Sequence, residues 1–230
     1  MQLDRLYYVI RAWGAGGQSW LVTWGKAFTW TELEEAIIHR RFEGRIASVR
    51  QAFIDSHYRT GEVYDWAHKW GGQIMPVKGN NWQMRTPFMP HRVDRDPGTT
   101  KLAAGGLHYY ELNGDFYRDS ITVAQERGLW KVPRVVDKEY ARQVTSECKV
   151  MDRNSRGQQR LVWKLKAGAS SNHYWDCEVY AMAGAQINYA DNIPGDAPAR
   201  AVPVRQQAGP VIQRGGIEIV QGTGNLRRRY

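Results

Sequence analysis

Asp55 closes the apolar run "AFID" ahead of a small polar turn, "SHYRTG", and Asp176 lies in "SNHYWDCEVYA", near the start of a helix-like segment. Carboxylates on different elements are what two-metal phosphodiester hydrolysis requires. Two divalent ions about 4 Å apart clamp the attacking and leaving oxygens. Mg2+ takes one or two carboxylates together with water and phosphate oxygens. A strand-end Asp and a helix Asp packed over that strand could supply such a site. Each residue also has an ordinary explanation. Asp55 suits a turn or a helix cap, Asp176 suits the dipole at a helix start, and Lys78 in "MPVKGNN" suits a solvated turn. His173 and Cys177 stand at i, i+4, a metal spacing, but no partner pair accompanies them. His57, His68, His91 and His108 are scattered and read as structural or solvent-facing.

The elements that must position these groups follow from the hydrophobic pattern. "LYYVIRAW" and "QSWLVTWG" read as a hairpin around Gly14, Gly16 and Gly17. Thr29 and Glu32 have capping-box spacing, and Leu33, Ile37 and Ile38 predict a helix over residues 30–42. "RIASVRQAFID" is the next strand and ends on Asp55; a helix over 59–70 stops at Gly71–Gly72, and "QIMPVKG" returns as a strand. The alternation predicts a sheet with helices packed on it. Residues 79–101 read as a long surface loop, of a length that is often functional. "GLHYYEL" is a candidate strand, "DFYRDSITVAQER" a helix, and Asp137 the cap of a short helix ending at Val144. Residues 146–151 and 160–166 predict a hairpin. Tyr174, Cys177, Ala181 and Ala185 predict one buried face on the last helix. Beyond residue 187 the chain turns Pro-, Gly- and Gln-rich, so 188–230 is expected to be a flexible basic tail.

Composition is compatible with that chemistry. The 230 residues are 42% apolar, with ten Trp and twelve Tyr, enough for a packed body. The net charge of +9 favours an anionic partner, nucleic acid being the commonest. Two cysteines without a C-x-x-C pair indicate neither a disulfide framework nor a zinc ribbon, and a reducing cytoplasm is the simple reading. No apolar run approaches the ~18 residues of a membrane span. No G-x-x-x-x-G-K-[ST] loop occurs, so no ATP binding by this chain is expected.

The segments "LYYVIRAWG-GGQSWLVTWG", "IDS-YRTGEVYDW", "MPVKG", "YARQVTSECKV" and "NHYWDCEVYAMAGA", in this order and spacing, resemble the nuclease domain of lambda-type phage terminase large subunits over most of residues 1–187. The resemblance implies an α/β fold of ribonuclease H type, a mixed central sheet flanked by helices. It implies a metal-dependent endonuclease that cuts concatemeric double-stranded DNA during packaging, in the host bacterial cytoplasm. It implies two ions, Mg2+ or Mn2+, with Asp55 as the strand-end ligand and Asp176 as the ligand on the last helix. The terminase small subunit and the portal or prohead become expected partners, with "LRRRY" at the chain end a candidate for docking or DNA binding. Thr60 and Lys78 fall in similar segments without an assigned catalytic role. For DNA contact the expected residues are Arg59, Lys78, Arg85, Arg92, Arg95 and Lys101, with Trp82 as a stacking group; such phosphate contacts give affinity without reading sequence.

Two departures accompany the resemblance. The family carries an earlier Asp in its first strand, in a segment similar to Val-Asp-Val-Gln, whereas the numbered sequence begins Met1-Gln2-Leu3. The expectation is therefore a first strand and first carboxylate missing or incomplete, through a split gene, a late start or a shortened chain. Neighbouring strands would then be left with unpaired backbone groups. Asp4 is not a convincing substitute. His57 stands where the family has Gly, a harmless loop substitution or an added ligand or proton-transfer group. The competing reading is a catalytically incomplete fragment that binds DNA or docks on the portal.

Overall fold

Alternating aromatic and β-branched residues make Leu6–Trp13 (β1) and Ser19–Ala27 (β2) an antiparallel pair, in register from Leu6↔Ala27 to Trp13↔Ser19 with a shift at Ile10/Arg11. Gly16 and Gly17 carry the turn at φ 70° and 72°, which only glycine adopts without cost. The computed structural model describes residues 5–42, 48–80, 84–93, 106–153 and 157–195, with short strand segments at 212–214 and 217–219. Thr29 caps Trp30–Glu34 (α1) by accepting from the Glu32 amide, while Glu32 accepts from the Phe28 amide. The helix continues as a π-helical turn to His39, so it stops short of the predicted residue 42.

Ala52–Asp55 (β3), Thr60–Trp70 (α2) and Ile74–Asn80 (β4) follow as the pattern predicts, although β3 is four residues long and residues 43–47 lie outside the described segments. The predicted loop over 79–101 needs correction: Phe88–Arg92 (β5) is a strand inside it. His108–Asn113 (β6) leads directly into Gly114–Glu126 (α3), which Asn113 caps by accepting from the Phe116 amide. Trp130–Lys131 (β7) and Lys138–Val144 (α4) come next, the latter capped by Asp137 as expected. Glu147–Arg153 (β8) and Gln159–Leu165 (β9) form the expected hairpin, and His173–Ile187 (α5) is the last helix.

The topology is mixed α/β. One sheet has the order β3-β4-β6-β5, with β3, β4 and β6 parallel and β5 antiparallel; another has the order β1-β2-β7. Among the described residues, β1 and β3 are edge strands, and α5 packs against both. The four-stranded sheet is covered on each face. Val77 and Leu112 meet Tyr117 and Ile121 of α3 and Val179 and Ala183 of α5. Ile54 and Tyr109 meet Val63 and Tyr64 of α2. The single buried face predicted for α5 is too narrow: Trp175, Glu178, Val179 and Met182–Ala185 are buried with Tyr174, while Cys177 and Ala181 are only partly covered. Two sheets and two helices enclose this segment, so little of its circumference is left for water.

An ion pair anchors α5 from within. Arg11 and Glu178 are 2.5 Å apart, each with 1% of its side chain exposed. The Tyr140 hydroxyl donates to the same carboxylate at 2.5 Å. Arg11 also donates to Ser19 Oγ at 3.0 Å and stacks on Trp130 at 3.6 Å. This body extends through Ala197, with residues 188–195 bonded to it through Gly16 to Ile193 and Asn188 to Gln51. Residues 198–230 form a separate unit, whose described part is a hairpin of Ile212–Arg214 (β10) and Ile217–Ile219 (β11). No helix among the described residues is long and apolar enough to cross a membrane.

Candidate active site

Asp55 is the last residue of β3 in register with the sheet, opposite Val77. The chain is pinned immediately after it. Ser56 is fully buried, and both its amide and its hydroxyl donate to the Val77 carbonyl, at 2.8 and 2.9 Å. Asp55 Oδ1 accepts from the His57 amide at 3.0 Å and faces His57 Nδ1 at 3.2 Å. It is a turn former but not a helix cap. The N-cap position of α2 belongs to Arg59, which sits at φ 55° without a side-chain cap. One half of the ordinary explanation for Asp55 therefore holds and the other does not.

Strand alternation decides which face Asp55 uses. Residues opposite each other share a face, and successive residues take opposite faces. Asp55 thus lies on the Val77 face, under α3 and α5. Lys78 lies on the other face, where its ammonium sits 4.8 Å from the Tyr109 ring.

Asp176 enters from above, in the first turns of α5, with 33% of its side chain exposed. Arg118 of α3 donates from Nη2 to Asp176 Oδ1 at 2.7 Å. Arg118 is itself held by Glu147, at 2.5 Å through Nε. Glu147 accepts two further bonds, from Asn172 at 2.7 Å and Trp175 Nε1 at 3.1 Å, and is 7% exposed. Burial pushes the Asp176 pKa up to about 6; the Arg118 charge opposes this, and the Glu147 and Asp55 charges add to it. The Asp55 charge is therefore felt at Asp176. The two carboxylates, far apart in the chain, are thus near enough in space to interact.

Tyr180 completes this wall. It follows Asp176 by one turn, an i, i+4 neighbour on the same side of α5. A Cβ at Gly79 would lie 3.6 Å from its hydroxyl. Burial, then the Asp55 and Asp176 charges, raise its pKa far above the usual phenol value, so it remains a donor. Neither Tyr180 nor Arg118 was signalled by sequence, apart from the i, i+4 spacing in "DCEVY".

The other candidates are more dispersed. Arg59 is exposed and pairs with Glu62 at 2.7 Å. Arg85 is exposed beside the C-terminal end of β6, where Asn113 bonds the Met84 and Pro87 carbonyls. Arg92, also exposed, pairs with His108 at the opposite end of that strand. Trp82, Arg95 and Lys101 lie outside the described residues. His173 stacks on Tyr7 at 4.7 Å, and the Cys177 thiol donates to the Tyr7 carbonyl.

Among the described residues, no group of three or more His, Cys, Asp and Glu converges as a metal cage. The Asp55–Asp176 pair nevertheless matches what a hard divalent ion needs from protein, one or two carboxylates. Among the described residues, Oδ2 of each takes no hydrogen bond, and the two like charges repel until a cation separates them. The next carboxylate in the cluster, Glu147, is already engaged by Arg118, Asn172 and Trp175.

A family model described as terminase large subunit gpA, endonuclease domain, matches residues 1–194. No curated protein and no solved structure matches the chain.

Proposed function

The chain belongs to the family of terminase large subunit gpA endonuclease domains, and from that premise we propose that Asp55 and Asp176 form the cutting centre of a metal-dependent endonuclease acting on concatemeric double-stranded DNA during packaging. Family membership supports a nuclease role in phage DNA packaging. The observation that supports the residue assignment is the electrostatic coupling of Asp176 to Asp55, a helix carboxylate near enough to a strand-end carboxylate to sense its charge.

A divalent cation, Mg2+ or Mn2+, supplies Lewis acidity at the scissile phosphate. Asp55 and Asp176 would hold it through their carboxylates. Ser56 and Val77 keep Asp55 fixed at the strand end, because a bonded turn leaves the carboxylate little freedom. Arg118 fixes Asp176 from behind. Tyr180, protonated throughout the working pH range, would supply a hydrogen-bond donor beside Gly79 for developing negative charge. Exposed Arg59 and Arg85 attract the backbone. The mixed four-stranded sheet with helices on both faces is in keeping with a ribonuclease H-type architecture. Portal and small-subunit contacts, in the host cytoplasm, follow from the family alone.

A second reading is a chain that binds DNA or docks without cutting. Among the described residues the next carboxylate, Glu147, is already engaged by Arg118, Asn172 and Trp175, which favours it over a complete two-ion centre. Plasmid cutting in Mg2+ or Mn2+ separates the two. The nuclease reading expects cutting by the unaltered protein, abolished in Asp55→Ala and in Asp176→Ala while DNA retention in gel shifts persists. DNA retention with no cutting at any concentration of either ion would establish the second reading.

A further inference from the structure

Arg118 carries more than a structural contact. Its guanidinium is 11% exposed and bridges two carboxylates, Glu147 through Nε at 2.5 Å and Asp176 through Nη2 at 2.7 Å. Glu147 is held in turn by Asn172 and Trp175, so the bridge cannot drift. Glu147 also offsets the charge of Arg118. The pair is neutral overall, but its guanidinium is the member in contact with Asp176 Oδ1, so the repulsion of a cation is concentrated at that oxygen.

What the bridge does is mark one oxygen of Asp176. A cation ligated by Oδ1 would stand within about 5 Å of the guanidinium, given ion–oxygen distances of ~2.1 to 2.6 Å. Like charges at that range repel by several kcal/mol at an effective dielectric of about 20. A cation on Oδ2 alone stands up to about 2 Å farther off and, since the repulsion falls as 1/r, is relieved of roughly a quarter of it. Ligation through a single oxygen suits Mg2+, which demands octahedral geometry, whereas Ca2+ commonly takes a carboxylate through both oxygens.

We infer that Arg118 is a positioning residue that makes Asp176 a one-oxygen ligand and so biases the site toward Mg2+ over Ca2+. This rests on the metal-site reading above, and the test keeps the two apart. Mn2+ binding to the full chain is followed by electron paramagnetic resonance and competed with Mg2+ or Ca2+, in the unaltered protein and in Arg118→Gln, Arg118→Lys and Asp176→Asn. Circular dichroism checks that each variant is folded. The unaltered protein should bind Mn2+ in an Asp176-dependent way and prefer Mg2+ as competitor. Arg118→Gln should shift the Mg2+:Ca2+ ratio toward Ca2+ by roughly tenfold, the scale of losses when a ligand's orienting partner is removed. Arg118→Lys, which keeps the charge but not the fork, should fall between. Asp176-dependent Mn2+ binding with an unchanged ratio in the folded Arg118 variants overturns the inference alone. If Arg118→Gln does not fold, the Arg118→Lys ratio decides. Absence of Asp176-dependent binding in the unaltered protein overturns the metal-site reading and this inference with it.

Discussion

Gly184 of α5 rests on the ring of Phe53 in β3, so closely that a Cβ there would meet the ring at 2.5 Å. The contact sets how near the helix bearing Asp176 comes to the strand bearing Asp55. Gly184→Ala must push the two apart or turn the Phe53 ring. It should cost about 1–3 kcal/mol, the usual scale of overpacking, and reduce cutting as well, because Phe53 lies two residues before Asp55 on the same face. Urea unfolding and a plasmid assay measure both effects. Gly79→Ala is the control: its Cβ would make an ordinary 3.6 Å contact with the Tyr180 hydroxyl and should leave stability nearly unchanged.

The raised pKa of Asp176 has a sign that can be worked out. Its native value of about 6 lies above the ordinary 3.8 expected when unfolded. Between these values the native state binds more protons, so stability falls as pH rises through the window, and the loss is complete above about pH 6. Asp176→Asn removes the titration and keeps an oxygen for Arg118. In metal-free buffer at neutral pH it should be more stable by about 1–2 kcal/mol, a figure discounted for solvent screening of a part-exposed group. The difference should vanish in acid below the ordinary carboxylate range. Thermal unfolding across this range checks it.

Tyr180→Phe removes a hydroxyl from the site while keeping the ring. Cutting under single-turnover conditions should slow by roughly tenfold to a hundredfold, toward the lower end of what one oriented donor contributes. DNA retention and the unfolding midpoint should stay close to those of the unaltered protein.

The arginines should not be equivalent. Arg85 stands at the end of the sheet where Asp55 and Asn113 terminate their strands, and Arg92 is at the far end of β5. Four residue steps separate Phe88 from Arg92, ~13 Å along the strand. Arg85→Ala should weaken DNA binding and lower the salt-dependence slope by about 1. Arg92→Ala should change the slope much less. Equal effects of the two would place the DNA path elsewhere.

Much of the fold was legible because periodicity, caps and glycine turns act locally. Thr29, Asn113 and Asp137 each accept the amide three residues on, although the sequence pattern marks only the first and last as caps. Strand β5 was missed because Pro90 and its polar surroundings argue against a strand. Pro90 is tolerated since β5 is an edge and needs no donor on its open side. Asp55 and Asp176 were visible as carboxylates at the ends of elements. The face used by Lys78 was not, because it depends on the β3–β4 register, which no local pattern encodes. Arg118 and Glu147 were invisible for a similar reason: their partners lie 58 and 29 positions away along the chain.

The buried bond between Arg11 and Glu178 has a consequence for reading mutational scans. Glu178 lies between Asp176 and Tyr180 in sequence, yet it faces the interior with Arg11 and Tyr140. Substituting it strands a charge inside the protein, at a cost of about 3–5 kcal/mol. Survival in a scan would therefore show intolerant positions on several sides of α5, although Asp176 and Tyr180, one turn apart, share a single side. Cell abundance, scored alongside plaque formation, would split those positions into residues whose loss removes the protein and residues whose loss leaves it present and silent.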